Sequence, residues 1–334
     1  MSFVASNLPH SVTVCANARL HLGFLDLNGG FGRHFGSLGL SLESPRIEIN
    51  LQAADKISAT GPVSDRAKQF AQTLLHDFKP GSGVAMQLTN EIPTHAGLGS
   101  GTQLALAVGR GLSELYDLNI PHSDIALKLE RGARSGIGIG AFEQGGFLVD
   151  GGHTKTNSLP PIIARMDFPE QWRIILIQDC ACEGLHGQAE KDAFAQLPPV
   201  SETQVGAMCR SLVMRVLPSL AEQDITEFGN AITQIQNSVG DHFAPAQGGR
   251  YYSPTVAESL NWMLQNGAAG VGQSSWGPTG FALCESENDA SILVNKIRKN
   301  VRNENSITYQ IVEAKNCGSD VHVERALHQA ASTG

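Results

Sequence analysis

An α+β fold in two domains is predicted, and three observations carry that prediction. At 334 residues the chain is too long for one simple core. Its composition, 41% hydrophobic and 17% charged, is that of a globular protein rather than a disordered one. Strand-like alternation and helix-like spacing are interleaved, and the last periodic segments run strand, helix, strand, an order that suits an α+β second domain.

Residues 11–19 and 37–51 read as strands, the second alternating cleanly through Ile47, Glu48, Ile49, Asn50 and Leu51. The glycine-rich stretch 25–32 lies between them as a loop. Residues 65–77 predict a helix with Ala67, Phe70, Ala71, Leu74 and Leu75 on one face. A strand over 84–88 leads through a glycine-rich turn into a helix over 103–116, where Leu104, Ala107, Val108, Leu112 and Leu115 fit helical spacing. A further helix over 123–131 starts at Ser123, a capping residue with Asp124 beside it. Pro160-Pro161 marks a boundary between residues 1–160 and 161–334. Beyond it, 172–177, 281–284 and 307–312 read as strands, and 205–216, 225–238, 255–265 and 290–301 as helices. Residues after about 323 are expected to fray.

The formal net charge of −8 and pI near 5.8 leave no footprint for nucleic acid or an anionic membrane. A small anionic substrate stays compatible, because a few local arginines and backbone amides bind phosphate within an acidic protein. Of the six cysteines only Cys180 and Cys182 are close in sequence, and C-x-C is neither the usual zinc spacing nor a redox C-x-x-C. No apolar stretch approaches the roughly 18 residues of a membrane span, and no secretory leader is recognisable, so a cytoplasmic location is expected.

The chemistry concentrates in glycine clusters. In Pro93-Thr94-His95-Ala96-Gly97-Leu98-Gly99-Ser100-Gly101-Thr102 three glycines let the backbone curl around an anion. The helix start behind them adds unpaired N–H groups and a favourable dipole, and Ser100 and Thr102 add hydroxyls. Arg134-Ser135-Gly136-Ile137-Gly138-Ile139-Gly140-Ala141-Phe142-Glu143 is a second cluster. Arg131 and Arg134 bring positive charge near it, or are helix-end arginines favoured by the dipole. In a third cluster, from Gly270 on, Gln273, Ser274, Ser275 and Thr279 offer neutral hydrogen bonds, and Trp276 is either a stacking wall or core. Near the start, Arg19 can grip phosphate or carboxylate bidentately. His21 can donate to the same anion or satisfy a buried backbone group. Glu183-Gly184-Leu185-His186-Gly187 reads as a substrate loop, since one histidine among carboxylates has no metal-site spacing.

The Pro93–Thr102 run resembles the second motif of the GHMP superfamily, P-x-x-x-G-L-G-S-S, which wraps the phosphates of ATP in galactokinase, homoserine kinase and mevalonate kinase. Gly101 stands where that motif has its second serine. Ser135-Gly136-Ile137-Gly138 aligns with the kinase pattern S-G-I-D, with Gly145-Gly146 on its paired glycines, so the kinase aspartate falls on Gly138. Glycine offers no proton acceptor. Glu143 is a nearby carboxylate that could substitute, although the match gives no reason to place it there.

Taken with Arg19-Leu20-His21-Leu22-Gly23-Phe24, Phe35-Gly36-Ser37-Leu38-Gly39-Leu40 and Gly272-Gln273-Ser274-Ser275-Trp276-Gly277-Pro278-Thr279-Gly280, these segments are similar to the β-ribofuranosylaminobenzene 5′-phosphate synthases of that superfamily. The resemblance implies a GHMP-kinase fold, with a ribosomal-S5-domain-2-like N-terminal domain and a ferredoxin-like C-terminal domain. It implies condensation of phosphoribosyl pyrophosphate with 4-aminobenzoate or 4-hydroxybenzoate in tetrahydromethanopterin biosynthesis, Mg²⁺ as cofactor and a homodimer. The candidates for catalysis are then Arg19, His21, Arg134 and Glu143. Those for substrate binding are the loop Gly97–Thr102 with Leu98, together with Arg131, Ser135, His186, Gln273, Ser274, Ser275, Trp276 and Thr279. Two other classes stay open: an ATP-dependent small-molecule kinase, and a non-catalytic ligand sensor on the same fold.

Overall fold

The computed structural model describes residues 9–154, 159–184, 187, 192–193, 196–300 and 306–325. Two sheets organise it. The first has seven strands and is built on the antiparallel pair β1 (Ser11–Asp26) and β2 (Phe35–Ala54). Both run further than the alternation predicted, because Leu20, Leu22 and Phe24 on β1 and Leu38 and Leu40 on β2 are buried despite interleaved glycines. The far half of β2 pairs with β4 (Gly83–Asn90), which also holds the short parallel β3 (Ser58–Thr60). The near half pairs with β5 (Phe147–Asp150), and β5 with β6 (Ile162–Met166). The other edge of β1 is covered by β11 (Asp320–Glu324). Strand β6 therefore lies on the first sheet although it follows Pro160-Pro161, and the chain changes sheets after Met166.

Helix α1 (Ser64–Phe78) appears where its periodicity placed it. Helix α2 (Ser100–Leu115) begins earlier than predicted, directly at the glycine turn, and buries Leu104, Ala107, Val108 and Leu112 against β1 and β2. Helix α3 (His122–Lys128) is capped at Pro121 without a side-chain bond, so Ser123 is not its cap; the Ser123 hydroxyl instead meets Asp124 at 3.3 Å. The second glycine cluster forms a short helix, α4 (Ile137–Glu143). Burial of Ile137, Ala141 and Phe142 outweighs the poor helix propensity of its glycines.

The second sheet has the order β10–β7–β9–β8, all antiparallel: β7 (Arg173–Asp179), β8 (Gly270–Gln273), β9 (Gly280–Cys284) and β10 (Ile307–Val312). Its central strand shows why it reads as a continuous apolar run. Ile174 and Leu176 point into the main core with Phe228 and Phe281, whereas Ile175 and Ile177 point into a second core with Leu260 and Ile297. A strand covered on both faces has no polar side to show. Helix α5 (Glu202–Ser211) passes through a π-helical turn at Leu212–Val216 into α6 (Leu217–Ala221). Helix α7 (Ile225–Gln247) packs on β8 and runs beyond the predicted 225–238, its last turns held by Phe243 against Trp276. Helices α8 (Pro254–Gln265) and α9 (Glu287–Asn300) cover the other face.

Candidate active site

The site grows from the turn into α2. Gly99 is the N-cap with φ 85°, a left-handed conformation that costs glycine nothing. The first helical bonds run from the Thr102 and Gln103 amides to the Gly99 carbonyl, both 3.1 Å, so the Ser100 and Gly101 amides precede them at the positive end of the helix. The turn is clamped from two sides. From β1, the Arg19 amide donates to Leu98 O at 3.1 Å and its guanidinium donates to Gly97 O at 2.5 Å. From the β8–β9 hairpin, the Ser274 hydroxyl donates to Gly97 O at 2.7 Å and accepts the His21 amide at 3.0 Å. Leu98 is buried beneath. The backbones touch: a Cβ on Gly97 would stand 2.2 Å from Ser274 O, and one on Gly277 2.3 Å from the Ala96 carbonyl.

In front of this turn lies a cavity of ≈ 420 Å³. Its described lining carries three guanidinium groups, from Arg19, Arg66 and Arg131, and no carboxylate. Ser100, Gly101 and Thr102 form its floor, with Ser275 and Trp276 on the side of the hairpin. Arg66 and Arg131 both stand over the Phe70 ring, their Cζ atoms 5.7 and 5.3 Å from its centroid. Burial holds both arginines below their ordinary range, and for Arg131 the neighbouring charge of Arg66 adds to it. Sequence reasoning missed Arg66, because one arginine in the first turn of an amphipathic helix looks like a solvated residue. The signal available was its pairing with Phe70, one turn on.

Ser275 and Trp276 are shared with a second space, lined by His21, Phe24, Val239, Phe243, Gln247 and Arg250 among others. Its walls are aromatic, with the Phe243 and Trp276 rings 4.4 Å apart and the His21 and Phe24 rings 4.6 Å apart. Its enclosed volume of ≈ 20 Å³ holds about one water. The His21 ring is buried, and burial first and Arg19 second lower its pKa to about 3, so it is neutral at pH 7. Its Nε2 has no hydrogen-bond partner among the described residues. The register of β1 with β2 shifts before Arg19 and after His21 but is regular between them, so the two side chains leave the same face of the strand, two residues apart, and reach neighbouring cavities.

Several predicted residues are placed elsewhere. The Ser135 hydroxyl is 2.7 Å from that of Ser37 and donates to the buried Asp150 at 3.1 Å. Asp150 also accepts the Gly136 and Gly152 amides, both 2.9 Å, and its pKa is raised by burial. Ser135 is thus part of the network that seats α4 and does not line the cavity. Glu143, at the far end of α4, faces His122 at 3.0 Å and is no substitute for the kinase aspartate. Arg134 lines neither cavity. Gln273 accepts the Tyr252 amide at 2.6 Å and donates to Ser275 O at 3.1 Å, bracing the hairpin beside the smaller cavity. Thr279 is fully buried and its carbonyl accepts the Ser274 amide at 2.9 Å. His186 lies outside the described residues, while Gly184 donates to His95 O at 3.1 Å and brings that loop to the same junction. Trp276 is core, 4% exposed and packed with Phe24 and Phe243, and it also lines both cavities. At Gly138 the space is tight: a Cβ there would stand 3.0 Å from the Thr102 methyl. Among the described residues no three His, Cys, Asp or Glu side chains converge as a metal site.

A strand, a glycine turn and a buried helix that present an arginine-lined anion cavity beside two packed sheets define a GHMP-type protein. The GHMP kinases N-terminal domain matches residues 65–146, and the GHMP kinases C-terminal domain matches residues 216–303. Homoserine kinase from Cytophaga hutchinsonii superposes with a TM-score of 0.68, covering 96% of this chain and 100% of that one at 18% identity, which shows the shared fold. The β-ribofuranosylphenol 5′-phosphate synthase of Archaeoglobus fulgidus is 36% identical over 283 residues, 80% of this chain and 86% of that protein. The synthase of the same name from Methanocaldococcus jannaschii is 36% identical over 309 residues, 84% and 90% of the two. The chain belongs to the β-ribofuranosylphenol 5′-phosphate synthase family, within the GHMP fold.

Proposed function

We propose that the protein transfers a ribose 5-phosphate unit from phosphoribosyl pyrophosphate to the ring of 4-hydroxybenzoate or 4-aminobenzoate, releasing pyrophosphate and carbon dioxide. The observation that carries this reading is the joint wall of Ser275 and Trp276 between a cavity whose described lining holds three arginines and no carboxylate and an aromatic-walled one. The names of the archaeal relatives favour the hydroxy acceptor.

In this reading the diphosphate rests on the Ser100 and Gly101 amides and faces Arg19, Arg66 and Arg131. These groups stabilise charge as the C1–O bond to pyrophosphate breaks, and being preorganised they cost no reorganisation at that moment. The acceptor ring approaches from the aromatic side and displaces Phe243 or Trp276 to enter, since the enclosed space is too small for it. The ring carbon that bears the carboxylate forms a bond to C1, and its electrons return to the ring when the carboxylate leaves as carbon dioxide. No proton is removed from that carbon, so the absence of a carboxylate at Gly138 costs the reaction nothing. Neutral His21 offers Nε2 to the ring substituent. Mg²⁺, if bound, would add counter-charge to the leaving diphosphate. The hydroxyls of Ser100 and Thr102 are the protein oxygens within the described lining that fit it, most of its ligands then coming from phosphate and water. A homodimer is carried forward as part of this proposal.

Acceptor labelled in its carboxyl carbon tests the reaction. Labelled carbon dioxide is expected only in the presence of phosphoribosyl pyrophosphate, one pyrophosphate for each, with no need for ATP. A ribosylated product that keeps the label would mean attack through oxygen or nitrogen, and ADP release would restore the kinase reading.

A further inference from the structure

The second serine of the kinase phosphate loop is replaced here by Gly101, and the structure shows what takes its room. A Cβ on Gly101 would stand 2.5 Å from Arg66 Nη2 and 3.2 Å from Arg66 Cζ. Any side chain at 101 would force this guanidinium to move from the place it holds. Arg66 is held in turn over Phe70, which also carries Arg131, so two like charges share one ring at the mouth of the loop. Among the described residues neither makes an ion pair with a carboxylate, and Arg131 Nε is buried without a hydrogen-bond partner. The two guanidinium groups repel one another, and the charge of Glu130 offsets this only at Arg131 and without an ion pair; a ligand with at least two negative charges placed between them and the Ser100 and Gly101 amides turns that repulsion into binding.

We propose that Arg66 and Arg131, aligned on Phe70, form a clamp for the diphosphate of the donor, and that Gly101 is the specificity-determining residue that admits it. The proposal rests on the transfer reading above and deepens it. The diphosphate rather than the 5-phosphate is the ligand, because Arg66 lies directly against the first helical turn, where the amides point. The room that a side chain at this position would take is given to a longer, charged, forked group that reaches it from α1.

Calorimetric titration with inorganic pyrophosphate, and separately with ribose 5-phosphate, tests the clamp without depending on turnover. Arg66→Ala and Arg131→Ala should each weaken pyrophosphate binding about tenfold or more, the loss expected for a charge-assisted hydrogen bond. Arg66→Lys should fall between Ala and wild type, and ribose 5-phosphate affinity should hardly change. Gly101→Ala should weaken pyrophosphate binding in the same direction, by no more than Arg66→Ala does, and adding it to Arg66→Ala should cost little more, because both act on the same guanidinium. Wild-type pyrophosphate affinity in both arginine variants, or strictly additive losses for residues 66 and 101, would overturn the clamp while leaving carboxyl-label release intact. A loss confined to ribose 5-phosphate would overturn the assignment to the diphosphate. If the variants lose pyrophosphate binding as expected but no labelled carbon dioxide is ever released, the clamp stands and the transfer reading falls.

Discussion

His21 shows how far burial can change a residue's chemistry. Its backbone amide donates to Ser274 and its carbonyl accepts from Ser275 at 3.3 Å, so the strand can place the ring only in the apolar space beside Phe24. There the charged form is disfavoured, and the pKa falls from 6.5 to about 3. In the unfolded chain the same ring takes a proton near pH 6.5, so the unfolded state binds more protons between these two values. The contribution of neutral His21 to stability is therefore whole above about pH 6.5 and is lost as pH falls, at up to ~1.4 kcal/mol per pH unit. Urea unfolding at about pH 7 and about pH 5 should show this loss, and His21→Gln should make the pH dependence shallower by about one proton over that window. An unchanged slope in the variant would show that the ring titrates normally in the folded protein. Neighbouring Arg19 follows the opposite logic, since its guanidinium keeps its charge and spends one donor on Gly97 O to hold the loop that it serves.

At the level of elements, the decisive contact is the crossing of three loops. The turn before α2, the β8–β9 hairpin and the loop through Gly184 meet backbone to backbone, and a Cβ on Gly184 would stand 2.6 Å from Gly277 Cα. The loops brace one another, and Arg19 and His21 of β1 hold the turn and the hairpin in place. Gly277→Ala sets a methyl against the Ala96 carbonyl and should part the hairpin from the phosphate turn. The expected cost is roughly 1–3 kcal/mol of stability, in the range of overpacking, together with a raised KM for the phosphorylated donor. Denaturant midpoints and steady-state kinetics check the two effects, and wild-type values for both would show that the junction yields without consequence. Helix α4 belongs to the same scale. Its start is fixed by Asp150 accepting the Gly136 amide and by Gln103 donating to Gly138 O at 2.7 Å, which presses Gly138 against Thr102. The position aligned with the kinase aspartate thus lacks a carboxylate and leaves little room for a side chain.

On the scale of the whole molecule, the first sheet is assembled from both ends of the described chain. Strand β11 covers the edge of β1, with Val321 and Val323 packed on the main core, and the Ser319 amide donates to Phe142 O at 2.7 Å at the end of α4. The main core also runs from the first sheet through α7 into one face of the second, joining Val12 and Leu20 to Phe228 and Phe281. Deleting residues 318–334 should therefore lower the thermal midpoint, and it should promote association through the bared β1 edge. Thermal denaturation with light scattering reads both, and a truncated chain that melts like the full one and stays monodisperse would contradict this account of the sheet.

The sequence by itself determined the fold class, most helices and strands, and the anion-binding turn at Gly97–Thr102, because these depend on local periodicity and on glycines whose role is set by their immediate neighbours. It also revealed the missing acceptor at Gly138, since the absence of a side chain is a local fact. The tertiary structure decided which distant groups reach that turn. Arg66 comes from a helix whose pattern looked merely amphipathic, and Phe243 from turns of α7 beyond a glycine where the periodicity had seemed to end. Ser135 and Glu143 left the site for the same reason that Arg66 entered it. A motif specifies which residues are near in sequence, whereas the direction of each side chain follows from which face of its helix or strand the core has already claimed. At Ser135 that claim comes from buried Asp150, and at Glu143 from the buried Ile137, Ile139, Ala141 and Phe142, which set the last turn of α4 toward His122.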